Sequence, residues 1–562
     1  MLGAKPKPKS AARTVDPLAG CSPYTSIYED ENGLLWNAML NFTDISYGSF
    51  GNNKFYSVQL IQDSFFGQTF KVFRKWGRVG AASPQKSIEV FGGCLDQAKQ
   101  SFQKRILEKS GNKWPLNGPF KKKKGKYVLV ELADEELDAE MDVDSKSDAN
   151  PNAAPSELPE KVQDVLKLIC DPSLIAKEVS EMNVDLKKLP LGRLSKAQIS
   201  QGYTILQRLS DALTAIDELE NPPVPTPAVP PATPTTTTSG RMTRSRKSAT
   251  AKAAAVTAKA APAKKKKMSA ADATRAHNLK ADLKTLSSEF YSLIPHDFGR
   301  SLPPVIGTMD EVKVKISLLE VLADLELSQK LQQEEKKSQA NGSTIHPLDA
   351  QYKMLNTKME PLEPTDEEFR RIERYVESTE VPSSQSYKLK IQSVMKIARG
   401  PEEETNETFK CVDNHKLLWH GSRLSNVVGI LSQGLRIAPP EAPKNGYLFG
   451  KGVYFADAVT KSSAYCFTSP DRPKAVLLLA EVALGKSYEA SHPTYLDYKT
   501  VHAHDCESTH GLGRMAPKEE TYETMSDGVV VPIGKITPKH KQVERLYNEF
   551  IVYRTEQIKL RI

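Results

Sequence analysis

Three short segments in the last third of the chain each set one polar residue among apolar or glycine neighbours: Leu418-Trp419-His420-Gly421-Ser422-Arg423, Gly452-Val453-Tyr454-Phe455-Ala456-Asp457 and Tyr547-Asn548-Glu549-Phe550-Ile551-Val552-Tyr553. A site needs this framing when a few polar groups are held at fixed geometry in a largely dry cleft. A carboxylate such as Glu549 can stabilise positive charge that builds on a sugar as its glycosidic bond breaks. A tyrosine ring such as Tyr454 can stack on a planar group, adding about 1 kcal/mol beyond its buried area. Each residue also has a bland reading. Glutamates commonly sit at exposed strand ends, a lone histidine in an apolar strand is more often a satisfied core residue, and Tyr454 suits a plain core.

A rival nucleotide motif, Gly511-Leu512-Gly513-Arg514-Met515-Ala516, satisfies the loose pattern G-x-G-x-x-A. Its context fails, because residues 500–510 read as polar and turn-like rather than as a buried strand, and no clear helix starts at the glycines. A Rossmann oxidoreductase is not expected.

The elements that position these residues belong to a chain of 562 residues, too long for one core; three or four folded units plus linkers are expected. No apolar run approaches the ~18 residues a membrane span needs, so no membrane association is expected. The basic N-terminus lacks the apolar stretch of a secretory signal, and the protein is expected inside the cell. The cysteines Cys21, Cys94, Cys170, Cys411, Cys466 and Cys506 form no Cys-x-x-Cys pair and have no histidine at metal spacing. No metal site and no disulfide framework is expected. The formal net charge of +8 is modest for this length, but it is unevenly placed.

Residues 1–27 read as a basic disordered arm carrying Lys5, Lys7, Lys9 and Arg13. Over 28–132, alternation as in Phe55 to Ile61 and Thr69 to Trp76 predicts a small mostly-β domain, with one helix where Leu95, Ala98, Phe102 and Ile106 recur. Residues 133–156 form an acidic linker. Residues 157–335 read as an all-α bundle, with Val162, Val165, Leu166 and Ile169 on one stripe and Val312, Ile316, Leu319, Val321, Leu322, Leu325 and Leu327 on the last helix. A Pro/Thr-rich and then Ala/Lys/Arg-rich insert, 221–267, cannot be core. Residues 346–562 read as mixed α/β, with a helix over 366–378 and many short strands. The fold class is multidomain α+β.

The three segments, together with Gly434-Leu435-Arg436-Ile437-Ala438-Pro439-Pro440-Glu441-Ala442-Pro443, closely resemble the catalytic domain of the DNA-dependent poly(ADP-ribose) polymerases. Upstream, Lys75-Trp76-Gly77-Arg78-Val79-Gly80 resembles the WGR domain signature, and the split helical region resembles the family's autoregulatory helical domain. The order of parts is most similar to the smaller, second type of these enzymes. The resemblance implies an ADP-ribosyltransferase domain built on antiparallel sheets, with NAD+ as substrate and no metal.

What the resemblance implies for the residues is specific. Glu549 would bond the nicotinamide ribose and polarise the acceptor hydroxyl during chain elongation, and Lys461 would lie near it. His420 would bind the adenine-side ribose. Gly421 and Ser462 would clamp the carboxamide, the glycine because its bare backbone permits close approach. Tyr465 and Tyr454 would sandwich the nicotinamide ring. Ser422, Asn426, Arg436 and Tyr447 would line the rest of the donor site, where an arginine suits pyrophosphate.

Arg74, Lys75, Trp76, Gly77 and Arg78, with the run Lys121 to Lys124, combine an aromatic, a glycine turn and phosphate-binding cations, which suits a DNA end; a structural tryptophan core with a solvated basic rim is the alternative. The basic insert and arm fit non-specific nucleic-acid affinity or nuclear localisation signals equally well. The resemblance implies a nuclear enzyme in DNA repair. It would modify acceptor proteins, itself and chromatin proteins included, with an accessory specificity factor. The helical domain would block NAD+ until DNA loosens it, with Glu320 and Asp324 facing the catalytic domain. The family continues past the strand matching 557–561 with another apolar strand, so a neighbouring edge is expected to be exposed. Addition of single ADP-ribose units and a catalytically weakened DNA-end scaffold are the competing functions.

Overall fold

The computed structural model describes residues 15–20, 24–64, 68–130, 155–182, 194–220, 269–323, 346–381, 387–403, 407–444 and 447–562. The arm before residue 15, most of the acidic linker, the 221–267 insert, Asp324, Leu325 and Leu327 lie outside them.

The alternating segments form one antiparallel sheet in the order Gln85–Val90, Thr69–Arg78, Asn52–Asp63, Asn37–Asp44 and Val128–Val130, with Thr25–Ile27 also paired to Asn52–Asp63. Helix Leu95–Ser110 lays Ala98, Phe102 and Ile106 on one face of it, against Trp36, Leu40, Val58 and Leu60. The helix stops at Gly111, whose positive φ of 73° lets its N–H reach Leu107 O. Because successive side chains alternate across a strand, Met39, Phe55, Val79 and Val130 face the other way. They join a core with Phe290, Tyr291, Ile294 and Ile306 of the helical region. Side-chain hydrogen bonds cross this junction: Asn41 Nδ2 donates to Tyr291 O (2.8 Å) and Ser292 O (3.1 Å), and Asn53 Nδ2 donates to His296 O (2.8 Å).

Lys196–Glu220 and Ala270–Leu293 pack side by side, with Ile199, Tyr203, Leu206, Leu209, Leu213 and Ile216 of the first in one core with Leu283, Leu286 and Phe290 of the second. Helix 309–323 adds Val312, Ile316, Leu319 and Leu322 to that core. One stripe goes elsewhere. Val162, Leu166 and Ile169 of Glu160–Ile169 are buried with Leu355, Leu418, Val427 and Val428, so the C-terminal region supplies the apolar surface that covers this helix.

Two sheets dominate the C-terminal region. One runs Glu523–Thr524, Val530–Val531, His415–Gly421, Leu477–Ala483 and Ile558–Leu560; the other runs Val453–Phe455, Glu549–Val552, Ser508–Gly511 and Ser487–Ala490. Most pairings are antiparallel, as expected, but Ser487–Ala490 runs parallel to Ser508–Gly511 and Val530 pairs in parallel with Lys416. Ala480 to Val482 pair with Leu418 to Lys416 on one side and with Leu560 to Ile558 on the other, and Ile397 N–H bonds to Arg561 O at 2.8 Å. The G-x-G-x-x-A stretch is two strand ends with no helix between them. Its glycines answer to packing, since a Cβ on Gly511 would lie 2.5 Å from the Phe449 ring and one on Gly513 2.3 Å from Tyr547 C.

Candidate active site

Trp419 and Ala456 exchange both backbone hydrogen bonds, at 2.8 and 3.0 Å, and so join the two sheets at one point. The joint places His420 and Tyr454, flanking residues on the two strands, beside each other. His420 Nδ1 donates to Tyr454 O at 2.9 Å. Burial holds the imidazole below its ordinary pKa, so the neutral ring keeps Nε2 as an acceptor facing the cleft. That suits binding a hydroxyl.

Val453–Phe455 pairs with Glu549–Val552 in the register Phe455 to Phe550, and Glu549 opens its strand opposite Gly511. Glu549 is 3% exposed, and Lys461 Nζ donates to its Oε1 at 2.8 Å. Burial disfavours the Lys461 ammonium, but Glu549 and the Tyr465 hydroxyl at 3.2 Å raise its pKa above the ordinary lysine value. The Lys461 side chain therefore keeps its charge at neutral pH. Tyr454 spends its hydroxyl internally, accepting from Phe449 N–H (3.0 Å) and donating to Gly450 O (2.7 Å), so it offers a ring face rather than an acid or base. Tyr465 is half exposed.

Helix Val459–Ser463 lies against the end of the His415–Gly421 strand. A Cβ on Gly421 would sit 1.9 Å from Ser462 O, so glycine is required for this approach. Ser462 Oγ donates to Trp419 O at 3.0 Å, which leaves its lone pairs to accept. Ser422 Oγ accepts from Asn426 Nδ2 at 3.1 Å, and Arg436 meets Gln433 Oε1 at 3.2 Å. The Tyr447 hydroxyl has no hydrogen-bond partner among the described residues, and its pKa is raised, first by burial and then by Glu320 nearby.

These side chains share one cleft of about 840 Å³, lined by His420, Gly421, Ser422, Asn426, Arg436, Tyr447, Tyr454, Tyr465 and Glu549. Ser462 and Lys461 are not part of the lining but contact residues beside it, Ser462 through Trp419 O and Lys461 through Glu549. The opposite wall is helical: Ile199, Tyr203, Lys313, Ser317 and Glu320 line the same cleft. Arg423 and Arg472, singled out by no sequence argument, tie the helical region to the C-terminal region. Arg423 Nη1 reaches Glu178 at 3.3 Å while its Nε donates to Ser317 Oγ at 3.1 Å, and Arg472 reaches Glu178 at 3.8 Å and Glu181 at 2.6 Å. The only hint of Arg423 was its place in the histidine motif. Among the described residues no group of three or more His, Cys, Asp or Glu is gathered to hold a metal ion.

Of the expected DNA-binding residues, Arg78 lies at the junction with the helical region. Arg78 Nε donates to Gly299 O, and its Nη2 donates to Ser301 O (2.6 Å) and Phe50 O (3.3 Å). Arg74 pairs with Glu89 at 2.5 Å and Lys75 pairs with Asp16. Trp76 stacks on Tyr56 at 6.1 Å. Gly77 is no turn: it sits inside Thr69–Arg78, paired with Phe55, because the strand alternation continues through it. Lys122 of the lysine run pairs with Glu289 at 3.2 Å.

Three family profiles match consecutive parts of the chain: the WGR domain over residues 36–121, the poly(ADP-ribose) polymerase regulatory domain over 156–352 and the poly(ADP-ribose) polymerase catalytic domain over 366–562. The chain is 34% identical to poly(ADP-ribose) polymerase 2 of Homo sapiens over 539 residues, covering 94% of this chain and 79% of the relative. It is 34% identical to poly(ADP-ribose) polymerase 2-A of Oryza sativa subsp. japonica over 532 residues, covering 94% and 69%. With poly(ADP-ribose) polymerase of Drosophila melanogaster it is 33% identical over 547 residues, covering 97% of this chain but 47% of the fly enzyme, about half its length.

Proposed function

Because the chain belongs to the poly(ADP-ribose) polymerase family and is an NAD-dependent poly(ADP-ribosyl)transferase, we propose that DNA strand breaks switch it on through its helical wall. The observation that carries this reading is continuity. The Asn52–Asp63 and Thr69–Arg78 strands bond to residues 296–301 through Asn53 and Arg78, helix 309–323 follows along the chain, and its Ser317 and Glu320 line the cleft that holds His420, Tyr454 and Glu549. A DNA end bound beside Trp76 and its basic neighbours favours the arrangement in which that wall is loosened, and NAD+ enters.

In the open cleft, His420 Nε2 accepts from the adenine-side ribose. Gly421 and Ser462 hold the carboxamide while Tyr454 and Tyr465 flank the ring, and Ser422, Asn426, Arg436 and Tyr447 line the adenosine and pyrophosphate side. As nicotinamide leaves, positive charge develops on the ribose, and the buried Glu549 carboxylate, aligned by Lys461, stabilises that charge more than the ground state. The same carboxylate polarises an acceptor hydroxyl, on a protein or on the last ADP-ribose of a chain. The acceptors are the chain itself and chromatin proteins, and the setting is nuclear DNA repair. Nicotinamide release by the purified chain, with and without nicked DNA, tests the switch; equal rates would remove it.

A further inference from the structure

Tyr547 ends a strand of one sheet, Ile536–Pro538, Gly513–Pro517 and Arg545–Tyr547, and Glu549 begins a strand of another; Asn548 is the single residue between them. Residues 511 to 513 make the same crossing beside it, Gly511 pairing with Glu549 and Gly513 with Arg545. Asn548, 2% exposed, ties the two crossings with its side chain: its Oδ1 accepts Gly513 N–H at 2.8 Å, and its Nδ2 donates to Asp457 Oδ2 at 2.7 Å. Asp457 lies two residues past the Val453–Phe455 strand that carries Tyr454, directly after the Ala456 that bridges to Trp419. One carboxylate thus connects the joint that sets His420 and Tyr454 to the residue that precedes Glu549.

Asp457 is fully buried and outside the cleft lining, and its Oδ1 has no hydrogen-bond partner among the described residues. Burying a carboxylate is costly, and the bond to Asn548 offsets part of that cost. The charged and titratable groups facing it are Lys416, Lys539, Tyr375 and Tyr522, and none of them bonds it directly. Among the described residues its one side-chain hydrogen bond goes to Asn548.

We propose that Asp457 is a positioning residue for polymer synthesis, fixing the Asn548 amide and through it the placement of the Glu549 carboxylate against the ribose. This rests on the catalytic role given to Glu549 above. The acceptor at Asp457 dictates which end of the Asn548 amide faces Gly513, and the carboxylate next along the chain inherits that alignment. Misplacement by about 1 Å is enough to lower a rate on the order of 100-fold without abolishing binding.

The test uses the full chain with nicked DNA and measures kcat and KM for NAD+ in Asp457→Ala, Asp457→Asn and Asn548→Ala, with Glu549→Gln as control and Tm for each. Asp457→Ala and Asn548→Ala are expected to lower kcat about 10- to 100-fold with KM within about threefold of wild type. Asp457→Asn, which keeps an acceptor oxygen for Asn548, is expected to recover most of kcat. Wild-type kcat in a folded Asp457→Ala, or Asp457→Asn as impaired as Asp457→Ala, overturns the proposal while an inactive Glu549→Gln leaves the role of Glu549 standing. If Asp457→Ala does not fold, Asn548→Ala decides, and its wild-type kcat is the overturning result. Full polymer synthesis by Glu549→Gln overturns the underlying role and this proposal together.

Discussion

Lys461 Nζ meets Glu549 Oε1 at 2.8 Å and joins the helix after the tyrosine motif to the first residue of the Glu549–Val552 strand. The carboxylate is 3% exposed and the lysine 22%, so the lysine carries the compensation for a charge that water barely reaches. Lys461→Ala is expected to destabilise the fold by about 1–3 kcal/mol and to lower kcat, because a buried acceptor is left unmatched. Lys461→Arg keeps a cation and loses less of both. Thermal unfolding beside steady-state kinetics reads the two effects.

Gly421→Ala is expected to abolish the stabilisation that nicotinamide analogues give. Its Cβ would meet Ser462 O at 1.9 Å, a backbone atom that cannot turn aside, so strand and helix must part. Thermal shift with a nicotinamide analogue measures it; an unchanged shift would mean that the pocket does not depend on this contact.

Glu178 takes Arg423 at 3.3 Å and Ser425 N–H at 3.2 Å, holding helix Pro172–Glu181 to the catalytic region. If the helical wall restrains the enzyme, Glu178→Gln raises DNA-free activity about 5- to 150-fold, the range of typical coupling energies, and leaves the DNA-stimulated rate near wild type. An unchanged DNA-free rate in the folded variant would show that this contact does not restrain.

Burial pushes the Asp457 carboxyl up to about 6, against an ordinary value of 3.8 and against the opposing pull of Asn548 and Lys416. The folded state therefore binds the proton more tightly than the unfolded chain between about pH 4 and 6, and the Asp457 contribution to stability falls as pH rises through that window. Wild type is expected to gain stability relative to Asp457→Asn as pH falls from 7 to 5. Paired Tm series check the sign, and a difference that is flat with pH would contradict the burial account.

Much of this was legible in the residues themselves. Apolar frames around His420, Tyr454 and Glu549 mark polar groups held in a dry place, and the alternation of residues 55–61 and 69–76 is local information that survives into strands Asn52–Asp63 and Thr69–Arg78. Partners are another matter. The stripe Val162, Leu166 and Ile169 announces burial but not that Leu418 and Val428 cover it. Arg78 reads as a free cation until Gly299 and Ser301 carbonyls are placed beside it. The Trp419 to Ala456 bridge, the Arg423 clamp and the Asn548 tie join residues 37, 245 and 91 positions apart, distances over which spacing along the chain carries no signal. Gly77 misled because glycine suggests a turn, whereas here it sits in a paired strand.

The most direct measurement is the NAD+ consumption and product ladder of the purified full chain, with and without nicked DNA, for wild type beside Glu549→Gln. The account predicts polymer that rises steeply with DNA in wild type, and loss of polymer with retained binding of a nicotinamide analogue in the variant. Equal wild-type rates with and without DNA, or a polymer ladder from Glu549→Gln, would contradict it.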